Sequence, residues 1–533
     1  MNIYTVSFLL ILILNLIKNR RSLTMLQKNL YNENNRYLKW VFKNWKTIFV
    51  SLDFISFIFL LLAYILDNDL SIYLVIISFI LYLLEITRIL NNDKLYMDEK
   101  KLVITKRVKR LLFTLAVLFL LPIIFYLVDD KNIYLTLVIE GFITYFSYLM
   151  VVVAEIINIP VERIVYNYYA IKAKNKLKDM KNLKVIGITG SYGKTTCKNI
   201  LSDILNVKYI ARPTPRNLNT EYGLMITINN HLDKFDDILI AEMGAYGPGE
   251  IKTLCDMVHP KYGILTRVGT AHLETFKTRE NIQKTKFELI ESLPSDGVAI
   301  LNKDDEWQTS YHLKNNVEVV WIGITNQDAD VVAYNIKCSN KGSTFDIKFK
   351  DDDNYYPFET KLLGKNNIYN ILASVALGKK LGMSINELQQ GVRKVRSIEH
   401  RLELKDLGNI YMIDDAYNSN PVGAEMAVEV LKMMPGTKVV VTPGMIELGD
   451  KQEEYNEKFG TEIASAADYV ILIGKNITKP IYNGLIKAGY KEDKIFILNK
   501  VVDSYPLINK LKEKDKDIYA LFENDLPDSY NED

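Results

Sequence analysis

The chain has 533 residues, with 66 Lys or Arg against 64 Asp or Glu, a formal charge of +2 and a mean hydropathy of +0.00. Such a balance excludes a basic nucleic-acid-binding chain, and no nucleic-acid partner is expected. The cysteines, Cys197, Cys255 and Cys338, lack pairing or metal-ligand spacing, which excludes a disulfide scaffold and fits a reduced cytosolic domain.

These averages conceal a division. Five long apolar runs fall within residues 1–160, at about 3–17, 47–66, 70–86, 111–128 and 133–153, whereas 181–533 reads as globular α/β. A membrane span needs roughly 20 mostly apolar residues. The first run is short, but no small-residue cleavage site follows it and more runs come after, so it reads as a span rather than a signal peptide. Segments 18–46 and 88–110 each hold eight Lys or Arg, while the connections at 67–69 and 129–132 are short and acidic. The basic segments are therefore expected in the cytoplasm. Five spans then put the N-terminus outside the cell membrane and everything after Pro160 inside, where ATP is available. Asp53 and Glu85 fall where each is expected to reach water, and Glu140 lies well inside its run. Residues 161–182 are basic and partly amphipathic, as expected of a helix along the anionic inner leaflet.

The run GITGSYGKTT at 187–196 is the strongest chemical signal. A β-branched apolar stretch precedes it and helical spacing follows, so backbone N–H groups and a helix N-terminus face a phosphate chain. Gly190, Ser191, Gly193 and Thr196 shape the loop. Lys194 adds charge near the β- and γ-phosphates, and Thr195 a hydroxyl for Mg²⁺. The pattern departs from GxxxxGK[ST] because Ile188 stands at the first glycine position. A second buried strand, DILIAEMG at 237–244, ends in Glu242, which is expected to emerge beside the loop and to suit Mg²⁺. A third, at 261–269, leads to His272.

TGSYGKTT, AEMGA, GTAHLETF, KTKFELI, LNKDD, GKNNIYN, EHRLE, IDDAYNSNP and GMIELG, in that order, resemble the Mur ligase family. The motifs DDAYNSNP and EMGAYGPGEI look most like the branch that adds D-alanyl-D-alanine to a UDP-muramoyl tripeptide. The resemblance implies an α-helical membrane region followed by α/β domains: a central P-loop ATPase domain at 183–399 and a Rossmann-like C-terminal domain at 400–533. It implies ATP and Mg²⁺, with Lys194 and Thr195 holding the phosphates and one magnesium, Glu242 and His272 at a second magnesium, and Lys286 as a carbamate that can bind metal. Asn367 and Asn370 match an adenine-contact motif in which Asn366 replaces the usual His. Arg401 and Asp415 bring the C-terminal domain onto ATP, Asn217 and Asn219 lie close to the acyl substrate, and Tyr417, Asn418 and Asn420 line the cleft near the amine.

The implied reaction joins a muropeptide carboxylate to an amino acid or dipeptide amine through an acyl phosphate, in cell-wall precursor synthesis alongside other cell-wall enzymes. Two departures from the family bear on substrate. Apolar runs occupy the place of a UDP-gripping domain, and the ending LFENDLPDSY lacks a basic KGS-type sequence. A membrane-bound ligase of different substrate, such as a poly-γ-glutamate synthase or a modifier of lipid-linked wall precursors, is the alternative. Retention of Lys194, Glu242, His272 and Lys286 argues against a silent nucleotide-binding scaffold.

Overall fold

In the computed structural model, the described residues are all except 1–2, 30, 32–34, 92–101, 130–132, 270–272, 340, 398, 409, 417–420, 447, 449–450, 512–516 and 525–533. The chain forms two compact units, Met1–Tyr168 and Tyr169–Asp533.

The first unit is helical. Its main helices are α1 (Ile3–Lys28), α2 (Leu52–Leu66), α3 (Ser71–Asn91), α4 (Lys106–Asp129), α5 (Ile133–Tyr145) and α6 (Ser147–Asp179). Small residues let α2 and α3 approach closely: the Ser56 hydroxyl donates to the Ser78 carbonyl at 3.3 Å, and the Ser78 hydroxyl returns the bond at 3.2 Å. Of the five expected spans, α1 and α3 are long and apolar enough to cross a membrane among the described residues. The α5–α6 pair makes a third if counted as one span bent by 87°. Helix α2, at 15 residues, is shorter than the ~20 a span needs. The run at 133–153 breaks at Phe146, beside the point where the Tyr145 hydroxyl donates to the Phe49 carbonyl at 2.9 Å.

Two charged residues differ from expectation. Asp53 and Glu85 are buried within the unit rather than open to water, because each has a cation at hand: Asp53 pairs with buried Lys18, and Glu85 with Arg88 at 2.8 Å. A carboxylate buried in its charged form needs such a partner. Glu140 is fully buried, as its position in the run suggested.

The second unit holds two sheets. The larger has nine strands among the described residues, in the order β2-β3-β1-β4-β5-β6-β7-β8-β9. Its strands are β1 (Lys184–Thr189), β2 (Ala211–Pro213), β3 (Ile238–Glu242), β4 (Tyr262–Leu265), β5 (Val298–Asn302), β6 (Glu318–Gly323), β7 (Val331–Ser339), β8 (Gly342–Phe349) and β9 (Tyr356–Thr360). Parallel pairing runs from β2 through to β7, and β8 and β9 extend the sheet antiparallel. Near-continuous burial of β1, β3 and β5 is what a parallel sheet covered on both faces demands. Helices α7 (Lys194–Leu205) and α10 (Lys365–Lys380) bury Ile200, Leu201, Ile371 and Leu372 in that core.

The smaller sheet runs β10-β11-β15-β12-β13-β14, parallel except for the β10–β11 pair. Its strands are β10 (Glu403–Asp406), β11 (Ile410–Asp415), β12 (Thr437–Thr442), β13 (Tyr469–Ile473), β14 (Ile495–Leu498) and β15 (Ile518–Glu523). Register places Asp415 opposite Glu523, both at carboxyl ends. The carboxyl ends of β1 and β4 in the larger sheet and of β11 and β15 in the smaller border one cleft, which is where an open α/β sheet binds ligands.

Candidate active site

The loop from Gly190 to Gly193 joins β1 to α7 and uses two glycines for different reasons. Gly190 has φ +150° and lies so close to Thr266 that a Cβ would fall 1.9 Å from its Oγ1. Gly193 has φ +81°, which an L side chain rarely adopts, and precedes the first turn of α7. Thr266 holds the loop from beneath, its hydroxyl donating to the Tyr192 carbonyl at 2.7 Å. Ser191 N–H donates to the Arg267 carbonyl at 2.8 Å. The Lys194 ammonium donates to the Gly190 and Ser191 carbonyls at 2.8 and 3.2 Å, and so lies across the loop. Thr196, the last of the expected loop residues, is buried at the edge of the cleft.

Glu242 ends β3 opposite Ile188 of β1, and its carboxylate is a junction. Its Oε1 accepts from the Thr195 hydroxyl at 3.0 Å and from the Asn219 side-chain amide at 3.1 Å. Its Oε2 lies 3.1 Å from the Lys198 ammonium. Lys198 also donates to the Arg216 carbonyl at 2.6 Å, so one buried cation ties α7, β3 and the 216–219 loop together. Asn217 is exposed on that loop, and Gly244 packs against Asn219 closely enough that a Cβ would meet its side chain at 2.9 Å. Lys198 has no sequence motif of its own beyond following Lys194 by one helical turn.

Lys286 is buried on α9 (Arg279–Glu291), its ammonium 5.6 Å from the centre of the Phe276 ring. Burial pushes it down to about 7, and repulsion from Lys194 acts in the same direction. Burial also lowers Lys194 to about 8, with Arg401 adding to the shift and Glu242 opposing it. Two lysines with depressed affinity for protons thus stand near enough to repel each other, a pattern common in catalytic centres.

The cleft has a volume of about 550 Å³. Asn367 and Asn370 line it from α10, with Asn370 3.4 Å from where a Gly193 Cβ would stand, and Asn366 lines it as well. Arg401 and Asp415 face it from the C-terminal part, where burial raises the Asp415 carboxyl to about 6 against a hydrogen bond from the Leu402 N–H at 3.1 Å. Several lining residues had not been singled out. Arg279 stacks over Trp307 with its guanidinium carbon 4.4 Å from the ring centre. Asp304 accepts from the Tyr369 hydroxyl at 2.8 Å and from backbone N–H groups of Ile324, Thr325 and Asn326. Glu523 stands beside Asp415 where the C-terminal ending had shown only the lack of a basic residue. The LNKDD run was the one signal for Asp304; nothing local marked Arg279 or Glu523. His272, Tyr417, Asn418 and Asn420 lie outside the described residues.

Residues 188–378 match the family model for the Mur ligase middle domain, and 400–506 that for the Mur ligase, glutamate ligase domain. The chain belongs to the Mur ligase family. This Mur ligase chain is 30% identical over 297 residues to the UDP-N-acetylmuramoyl-tripeptide–D-alanyl-D-alanine ligase of Bacillus subtilis (strain 168), covering 55% of this chain and 63% of that one. It is 32% identical over 298 residues to the ligase of the same name from Escherichia coli (strain K12), covering 55% and 65%. The chain thus spans somewhat less than two thirds of these relatives. Among solved structures, MurF from Acinetobacter baumannii superimposes with a TM-score of 0.60 at 25% identity, over 67% of this chain and 77% of that one. MurF ligase from Thermotoga maritima in complex with ADP gives 0.59 at 27% identity, over 67% and 80%. The matched Mur ligase domains begin after the helical unit.

Proposed function

We propose that the chain is an ATP-dependent amide ligase acting in peptidoglycan-precursor synthesis, of the kind that adds D-alanyl-D-alanine to a muropeptide. One observation carries the reading: a single carboxylate, Glu242, holds both Thr195 of the phosphate loop and Asn219 of the loop expected to meet the acyl substrate. Nucleotide and acyl group are thereby brought to the same point, as activation of a carboxylate requires.

In this mechanism the substrate carboxylate attacks the γ-phosphorus of ATP, the bond to the β-phosphate oxygen breaks, and ADP leaves. The amine then attacks the acyl phosphate carbonyl, a proton is lost from nitrogen, and inorganic phosphate departs. Lys194 neutralises charge on the transferring phosphoryl group, and the loop N–H groups hold the phosphate chain. Asn219 and Lys198 keep the carboxylate of Glu242 fixed while Arg401 and Asp415 close the nucleotide from the C-terminal side. The Thr195 hydroxyl and the Glu242 carboxylate are adjacent hard oxygen donors and fit Mg²⁺, and His272 with a carbamate on Lys286 would serve a second Mg²⁺. Bound there, Mg²⁺ supplies charge stabilisation to the phosphates. The lowered proton affinity of Lys286 favours the neutral amine that carbamate formation needs.

The helical unit is read as a multi-pass membrane region that keeps the ligase domains on the cytoplasmic face, with a lipid-linked muropeptide as preferred acceptor. Confinement to the same surface raises the effective concentration of such an acceptor. The test is ADP release by the purified full-length protein, supplied with a muropeptide tripeptide and D-alanyl-D-alanine separately and together. Release that requires both, with a ligated product by mass spectrometry, is expected. Release that is independent of the dipeptide but stimulated by glutamate points to the alternative ligase.

A further inference from the structure

The part of α6 that belongs to the second unit is basic: Tyr169 to Asp179 holds four lysines against one aspartate. It lies against a surface turn, held by the Asn229 amide donating to the Tyr169 carbonyl at 3.0 Å and by Lys176 donating to the Leu232 carbonyl at 2.5 Å. Ala173 packs inward, which leaves Ile171 60% exposed among Lys172, Lys174 and Lys178. The segment on the other side of the contact is apolar where it meets solvent. Tyr222 and Ile226, one turn apart on α8 (Glu221–Ile226), are 57% and 42% exposed, and Phe235, three residues past Leu232, is 69% exposed with Lys234 against its ring. Large side chains left in water this way, bordered by lysines, mark an interaction surface.

We propose that this face rests on an anionic lipid leaflet, with Ile171 and Phe235 entering the interface and the lysines of α6 paired to lipid phosphates. The occupant follows from charge and from the chain: the lysines suit anionic headgroups, and the same helix leads directly out of the apolar helical unit. The face also bears on substrate. Helix α8 begins two residues after Asn219 and is capped by Thr220, whose hydroxyl accepts from the Gly223 N–H at 3.3 Å. A leaflet under Tyr222 and Ile226 therefore lies next to the loop that meets the acyl group. The inference rests on reading the helical unit as membrane-spanning, and its substrate consequence on the ligase reading.

The test uses full-length protein with Cys338→Ser, since Cys197 and Cys255 are buried. Single cysteines replace Ile171, Phe235 or the exposed Val502, each labelled with bimane and reconstituted in vesicles of phosphatidylglycerol and phosphatidylcholine. Spin-labelled lipid is expected to quench the probes at 171 and 235 by about twofold or more, with loss of quenching at high salt or in pure phosphatidylcholine. The probe at 502 is expected to stay in water. Protein that floats with the vesicles while 171 and 235 remain as open to iodide as 502 overturns this proposal and leaves the spans standing. Protein that does not float overturns both. If the face also presents substrate, Ile171→Glu with Phe235→Glu raises KM for a lipid-linked acceptor and leaves the UDP-linked one unchanged; equal values for both remove that consequence.

Discussion

Lys198→Met removes the cation that joins Glu242 to the carbonyl of Arg216. Both charged side chains are about 2% exposed, so solvent offers little compensation. Breaking a buried pair by deleting one partner typically costs ~3–5 kcal/mol. Here Glu242 keeps two donors, Thr195 and Asn219, which puts the expected loss at the lower end, about 3 kcal/mol. At roughly 2 °C per kcal/mol for a large domain, Tm is expected to fall by about 6 °C. Thermal unfolding of wild-type and variant protein in the same nanodiscs reads this directly. The variant is also expected to need more acyl substrate, because the 216–219 loop loses its tether to α7. Adding Glu242→Gln removes the uncompensated carboxylate, so the double variant is expected to regain most of the lost stability without regaining turnover. A double variant no more stable than Lys198→Met, or a single variant with unchanged Tm and KM, refutes the bridging role.

Other perturbations probe separate parts of the site. Lys286 binds its proton less tightly when folded, about 7 against 10.5 for an ordinary lysine, so its burial destabilises the fold fully below pH 7 and progressively less as pH rises toward 10.5. In CO₂-free buffer, Lys286→Met is therefore expected to raise Tm at pH 6, by an amount that corresponds to at most roughly 5 kcal/mol and shrinks to nothing above pH 10, while ligase turnover is lost; a gain independent of pH contradicts the titration. Gly190→Ala forces a Cβ against Thr266 at a φ of +150° and is expected to abolish nucleotide binding by calorimetry, whereas Gly382→Ala, strained at +90° but with nothing within 4 Å, is expected to leave binding intact. In bilayers, kcat/KM is expected to be higher for a lipid-linked muropeptide than for its UDP-linked counterpart; the reverse order makes the helical unit an anchor alone.

The parts of the site legible in the sequence are those that one short segment specifies. The phosphate loop needs its two glycines, a lysine and a hydroxyl within seven residues, and Glu242 needs only to end an apolar strand. Contacts between distant segments leave no such trace. Asp53 was expected to reach water because it falls near the basic cytoplasmic side, yet the bundle buries it against Lys18, 35 residues away. Nothing local marks Glu523, and its place beside Asp415 follows from β15 inserting between β11 and β12, a crossover that no local pattern encodes. That insertion puts both carboxyl groups on the cleft wall that Arg401 also lines, the wall by which the proposed mechanism closes the nucleotide, so a contact made by strand order rather than by any motif shapes that side of the site.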